Sequence, residues 1–160
     1  MGMTGLGFVR FFTKRADKNS NVVGGTIHMM LNSSATPLLT GDCVYVSGSG
    51  VVAKSNTSAN YAGFAGVVVG GAATYFRTLI AANETGKVAA LINQLVLVQV
   101  TGIARVMAEG TITTGTNPSV IISTITPGKV VVGNGAGQML GIPLQDATTG
   151  QEVLILLRHR

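Results

Sequence analysis

LLTGDCVYV at residues 38–46, SGVVAKS at 49–55 and FAGVVV at 64–69 follow one another in the first half of the chain. TITTGTNPSVII at 111–122, PGKVVVG at 127–133 and LGIPL at 140–144 follow one another in the second half. Each set runs through a Thr-Gly turn, a strand, a glycine-led strand and an apolar-Gly-apolar strand. The sets lie roughly 75 residues apart. Two copies are too few for a solenoid, which needs at least three, so the repeat predicts two similar β-modules in one compact fold.

The surrounding texture agrees. From residue 21 onward Val, Ile and Thr dominate, and Gly, Asn, Ser and Pro recur at short intervals. That is the pattern of a sandwich or barrel. Strands are expected at 26–31, 43–47, 51–54, 64–69, 95–100, 104–108, 120–123, 129–132, 141–144 and 152–157. Turns are expected at 48–50, 109–110, 126–128, 133–137 and 148–150. Residues 87–94 read either as one or two helical turns or as a loop and a strand. The fold class is all-β, a compact domain over residues 21–160 preceded by an N-terminal arm over 1–20.

The 160 residues suffice for a core without staples, and only 11% are charged, against roughly 25% in ordinary soluble domains. Few charges and 22 glycines describe a poorly solvated surface suited to an assembly. The apolar runs fall short of the about 20 residues a spanning helix needs. The opening MGMTGLGFVRFFTKRADK lacks the basic-then-apolar order of a secretory signal. No membrane association is expected.

The net charge of +5 is uneven. Arg10, Lys14, Arg15 and Lys18 outweigh Asp17 at one end, and Arg158 and Arg160 close the other. Between them, Lys54, Arg77, Lys87, Arg105 and Lys129 cancel Asp42, Glu84, Glu109, Asp146 and Glu152. The arm also holds Leu6, Phe8, Val9, Phe11 and Phe12. These five point all round a helical wheel and occupy both faces of a strand. A segment apolar on both faces wants cover on both. It either lies in a neighbouring subunit or partner, or folds back as a strand of its own core.

Convergent catalytic groups are scarce. The histidines are His28, within the strand TIHMML, and His159, next to the end. No G-x-S-x-G elbow is present, so a serine triad has no frame. Asp42, Glu84, Glu109, Asp146 and Glu152 all sit at expected turns or strand ends, where acidic residues of β-proteins usually go. Cys43 is the single cysteine and reads as a small buried apolar residue. Gly48-x-Gly50-x-x-Ala53 imitates a dinucleotide fingerprint, but β-branched VVAKSNTS follows instead of a helix. GNGAG at 133–137 lacks the lysine of a phosphate loop. No cluster has metal-ligand spacing, and no strand alternates aromatic and basic residues as nucleic-acid platforms do. Neither an enzyme nor a cofactor is expected, and nucleic acid is not an expected partner.

VLVQVTGIARVMAEGTITTG (96–115), PGKVVVG (127–133) and MLGIPLQDATTGQEVLILL (139–157), with GDCVYV and FAGVVVGGA before them, resemble the small head decoration (cement) proteins of bacteriophages. The resemblance spans residues 38–157, while FRTLIAANETGKVAALINQ (76–94) departs from it in the manner of an insertion. It implies a β-barrel or β-tulip domain that sits, commonly as a homotrimer, on the outer surface of the virion head and bridges neighbouring major capsid subunits. Neither catalysis nor a cofactor is implied. The arm, with Leu6, Phe8, Val9, Phe11 and Phe12 as apolar anchors and Arg10, Lys14 and Arg15 as charge partners, is the expected capsid-binding foot. The alternatives are a phage tail-tube or fibre component, which would form rings or rods, and a β-barrel carbohydrate-binding module or hydrolase.

Overall fold

The computed structural model describes residues 25–48, 50–53, 63–71, 85–116, 119–122, 126–133 and 139–157. They form twelve strands and no α-helix among the described residues: β1 (Ile27–Leu31), β2 (Leu38–Leu39), β3 (Cys43–Ser47), β4 (Gly50–Ala53), β5 (Phe64–Gly71), β6 (Val88–Ala90), β7 (Leu95–Gln99), β8 (Gly102–Met107), β9 (Val120–Ile122), β10 (Val130–Val132), β11 (Gly141–Pro143) and β12 (Glu152–Leu157). The fold is all-β, as the sequence predicts. One short strand was not expected, β2, and it pairs with β6. Residues 87–94, open between helix and strand, resolve as β6 and a turn.

The expected repeat is present strand by strand. The first sheet has the order β1-β7-β5-β3-β4, and the second β8-β12-β11-β9-β10. All the pairings are antiparallel. In a row of five alternating strands the two edges run the same way, so a sheet curling on itself must close through a parallel contact. Both do. Asn32 bridges Val51 in parallel in the first module, and Ala108 bridges Val130 in the second. Ser33 N–H donates to the Val51 carbonyl at 3.1 Å, and Glu109 N–H to the Val130 carbonyl at 2.8 Å. The β2–β6 pair recurs as the Ile112–Ala147 bridge. Equivalent residues are about 76 apart from Asn32 to Ala108 but about 57 apart from Leu95 to Glu152. The first module therefore carries the extra residues, between β5 and β6, where the sequence suggests an insertion.

Each module has its own interior. Leu38, Val44, Val51, Val68, Val96 and Val98 fill the first; Ile112, Val120, Val130, Val153 and Ile155 fill the second. These are the inward positions of alternating strands, and β-branched side chains suit a curled, half-covered surface. The outward residues Cys43, Tyr45 and Val67 of the first module join the second module's cluster and bind the two into one body. Gln99, fully buried, sits at the joint, where its Nε2 donates to the carbonyls of Thr101 (2.8 Å) and Ile103 (2.9 Å). Cys43 N–H donates to the Gly128 carbonyl at 2.9 Å.

Candidate functional site

Three of the carboxylates considered for chemistry, Glu109, Asp146 and Glu152, are used as braces. Glu152 accepts from Arg105 at 3.0 Å and from Thr85 N–H at 3.1 Å. Burial works to raise its pKa, but the bonds from Thr85 and Arg105 outweigh that and hold it below the usual range. Asp146 accepts both the N–H and the hydroxyl of Thr114 at 2.7 Å, which lowers its pKa. Glu109 accepts from the Thr126 hydroxyl. His28 is half-buried on β1, opposite Val98. Cys43 is buried as expected, and burial, then the neighbouring Asp42 carboxylate, push its thiol well above the ordinary range. After Gly48-x-Gly50 comes strand β4, which cannot present a helix N-terminus to a pyrophosphate. Among the described residues no group of three His, Cys, Asp or Glu could hold a metal ion. No helix there is long and apolar enough to cross a membrane. The proposed foot (Leu6, Phe8, Val9, Arg10, Phe11, Phe12, Lys14, Arg15) lies outside the described residues, as do Glu84, His159 and residues 134–137.

Asp42 is the exception among the carboxylates. It lies at the module junction, accepts from Leu39 N–H at 2.8 Å, and has Gly128 and Lys129 beside it. Burial pushes its pKa up to about 6 from the ordinary 3.8, against the opposing pull of the Leu39 bond and of Lys129. Between those two pH values the folded chain binds more protons than the unfolded one. Stability contributed at this site therefore rises as pH falls from about 6 to about 4, by at most about 3 kcal/mol. Asp42→Asn keeps an acceptor for Leu39 and has no charge to desolvate. The variant should melt higher than the wild type at pH 7.5, and the gap should narrow to about a third by pH 4.5. A gap that stays constant across that range excludes the mechanism.

The most informative surface is the corner between β6 and β7. Leu91 N–H donates to Gln94 Oε1 at 3.0 Å, and Gln94 N–H to the Leu91 carbonyl at 3.1 Å. Asn93 takes a left-handed φ of 60°. Asn32 grips the corner: its N–H donates to the Gln94 carbonyl and its carbonyl accepts from Asn93 N–H, at 2.8 and 2.9 Å. The corner between Ala147 and β12 repeats this bond for bond. Thr148 N–H donates to Gln151 Oε1, Gln151 N–H to the Thr148 carbonyl, Ala108 N–H to the Gln151 carbonyl and Gly150 N–H to the Ala108 carbonyl, each at 2.9 Å. Gly150, at φ 81°, stands where Asn93 stands.

The backbone is the same but the surfaces are not. Thr148, Thr149 and Glu152 occupy the second corner, where the first has Leu91, Ile92 and Leu95, each exposing close to half of its surface. Val88, also exposed, stands where the second has Gln145. The polar version shows that the corner's geometry does not require apolar residues. Exposed Leu and Ile on a frame that folds equally well with Thr form an apolar surface that the fold itself does not call for. The arm-centred reading of the sequence missed this corner; its signal, Leu-Ile-Asn-Gln-Leu against Thr-Thr-Gly-Gln-Glu, emerges only when the repeat is carried past β5.

Matched against models of known families and against curated proteins, the chain finds no counterpart in either.

Proposed function

We propose that this chain is a structural, non-enzymatic virion protein that binds the outer surface of a phage capsid and stabilises the expanded shell by bridging major capsid subunits. One observation supports a binding role above all: the apolar β6–β7 corner, set on a backbone that its own polar twin shows to be indifferent to that choice. The resemblance of the strand-and-turn motifs to those of head decoration proteins points that role at a capsid. A ligand that binds only the expanded lattice shifts the shell's equilibrium toward it, and several feet on one oligomer act at high effective concentration.

The second module supplies the test variant. Leu91→Thr, Ile92→Thr and Leu95→Glu together rewrite the first corner as the second. Each Leu or Ile is worth about 1.5–3 kcal/mol on full burial, roughly half of which is already spent in the free protein. The triple variant should melt like the wild type yet bind expanded shells about 100-fold more weakly in cosedimentation, unexpanded shells serving as the control. Deleting residues 1–18 should likewise weaken binding and leave the fold intact. Undiminished decoration by both variants removes the corner and the arm as the contact sites, wild type that ignores expanded shells removes the capsid reading, and long rods of the chain alone in electron micrographs favour a tail component.

A further inference from the structure

The outer face of the first module is covered along one cross-strand row, and the same row of the second is open at two of its strands. In the first module, Ile27, Gln99, Val67 and Cys43 are successive cross-strand partners over β1, β7, β5 and β3. Val67, Gln99 and Cys43 are 0% exposed, because the start of β8 and the second module lie on them. In the second module the equivalent row is Ile103, Leu156, Ile142 and Ser119 over β8, β12, β11 and the residue before β9, and Ser119 is buried like its counterpart Cys43. Here Leu156 is 42% and Ile142 43% exposed. The row beside it adds Leu154 and the exposed Leu144, joined by a bond from Leu144 N–H to the Leu154 carbonyl at 2.8 Å. Five aliphatic side chains across three strands thus face outward together. Singly exposed apolar residues are ordinary, but a contiguous sheet face of them is an association surface.

We infer that this face is where a second copy of the chain docks, head to tail, repeating the step by which the second module already docks on the first. The occupant follows from the duplication: in the one place where this face has a partner, that partner is the module joined after it. Applied once more, the same relation sets a first module of another copy against Ile103, Leu156 and Ile142. Such a contact is heterologous. It closes into a ring where the rotation permits, and otherwise runs on as a filament. A closed ring of few copies is compatible with the capsid reading and an open filament favours the tail reading, while assembly through this face without any binding to shells leaves the inference standing and removes the capsid reading.

The test is the oligomeric state of the full chain. Wild type should sediment as a multiple of 16.4 kDa, and Leu156→Glu as the monomer, with an unchanged far-ultraviolet spectrum. Thr149→Glu, which adds a charge at an exposed position of the polar corner, should leave the assembly intact. Leu156→Cys gives a second readout. Cys43 is buried, so the new thiol alone should react with a maleimide, about tenfold more slowly in the assembly than after dilution to monomer. A wild-type chain that is monomeric throughout the micromolar range, an assembly that survives Leu156→Glu, or a thiol whose reactivity ignores dilution overturns the inference.

Discussion

Gly66→Ala should lower stability by about 3–5 kcal/mol, one of the largest losses that a single added methyl group can cause in this fold. Gly66 sits within β5 at φ 153°, where a side chain is strained, and a Cβ built there lies 2.2 Å from the carbonyl oxygen of Gln99. The obstacle is backbone of the neighbouring strand, so no rotamer change relieves it. The register between β3 and β5 shifts at the adjoining Val44/Tyr45 step, which places the glycine beside an irregularity in the curled sheet. Moving β7 away to make room would disturb Gln99, whose side chain ties the two modules together. The second module repeats the arrangement: a Cβ on Gly141 meets the Leu156 carbonyl oxygen at 2.5 Å. Gly110, where an added Cβ meets nothing within 4 Å, is the control, and its alanine variant should stay within about 0.5 kcal/mol of wild type. Urea unfolding of the two variants measures this; equal midpoints for Gly66→Ala and Gly110→Ala would falsify the close-approach account.

These glycines also mark how far the sequence could be read. The apolar-Gly-apolar signature was legible as a repeat because both copies need the same close approach to a neighbouring carbonyl. Cys43–Ser47 and Glu152–Leu157 were legible to the residue, since β-branched alternation bounded by turn residues has few other readings. Val88–Ala90 was not, because VAALIN suits a helix as well as a strand. Pairing with Leu38–Leu39, some fifty residues away, decides the matter, and no local propensity contains that information. The second docking face was half-legible. Glu152–Leu157 is apolar on both faces, and the rule applied to the arm, that such a strand wants cover on both sides, applies equally to it. The β6–β7 corner was illegible until two corners with one hydrogen-bond pattern could be laid side by side.

Asn32→Ala should cost about 2–4 kcal/mol and should do so by releasing the apolar corner. Asn32 is fully buried, yet its side chain is saturated with partners. Its Nδ2 lies within bonding distance of the carbonyls of Thr36 (3.2 Å), Ala90 (3.3 Å) and Leu91 (3.1 Å). Its Oδ1 accepts from Ser34 N–H at 3.0 Å and from the Ser34 hydroxyl at 2.6 Å. Truncation takes one partner from each of these groups; the Leu91 carbonyl keeps Gln94 N–H and the Thr36 carbonyl keeps the Ser34 hydroxyl, so the penalty falls mainly on the Ala90 carbonyl and Ser34 N–H. For a chain of this size each kcal/mol is worth roughly 2–4 °C in melting temperature, so a clear downward shift is expected. The second module shows what is specific to the first. Its equivalent position is Ala108, which makes the backbone bonds to Gly150 and Gln151 with no amide to brace them. A polar corner stands without the amide, whereas the corner bearing Leu91 and Ile92 has it. An exposed apolar turn gains nothing from water to hold its shape, and a rigid one loses less entropy on docking. Asn32→Ala should therefore speed amide hydrogen exchange at residues 91–94 well beyond what global destabilisation explains, with exchange at 148–151 following only the global change. Uniform acceleration at both corners would make Asn32 a general core residue and would detach it from the docking role of the corner it holds.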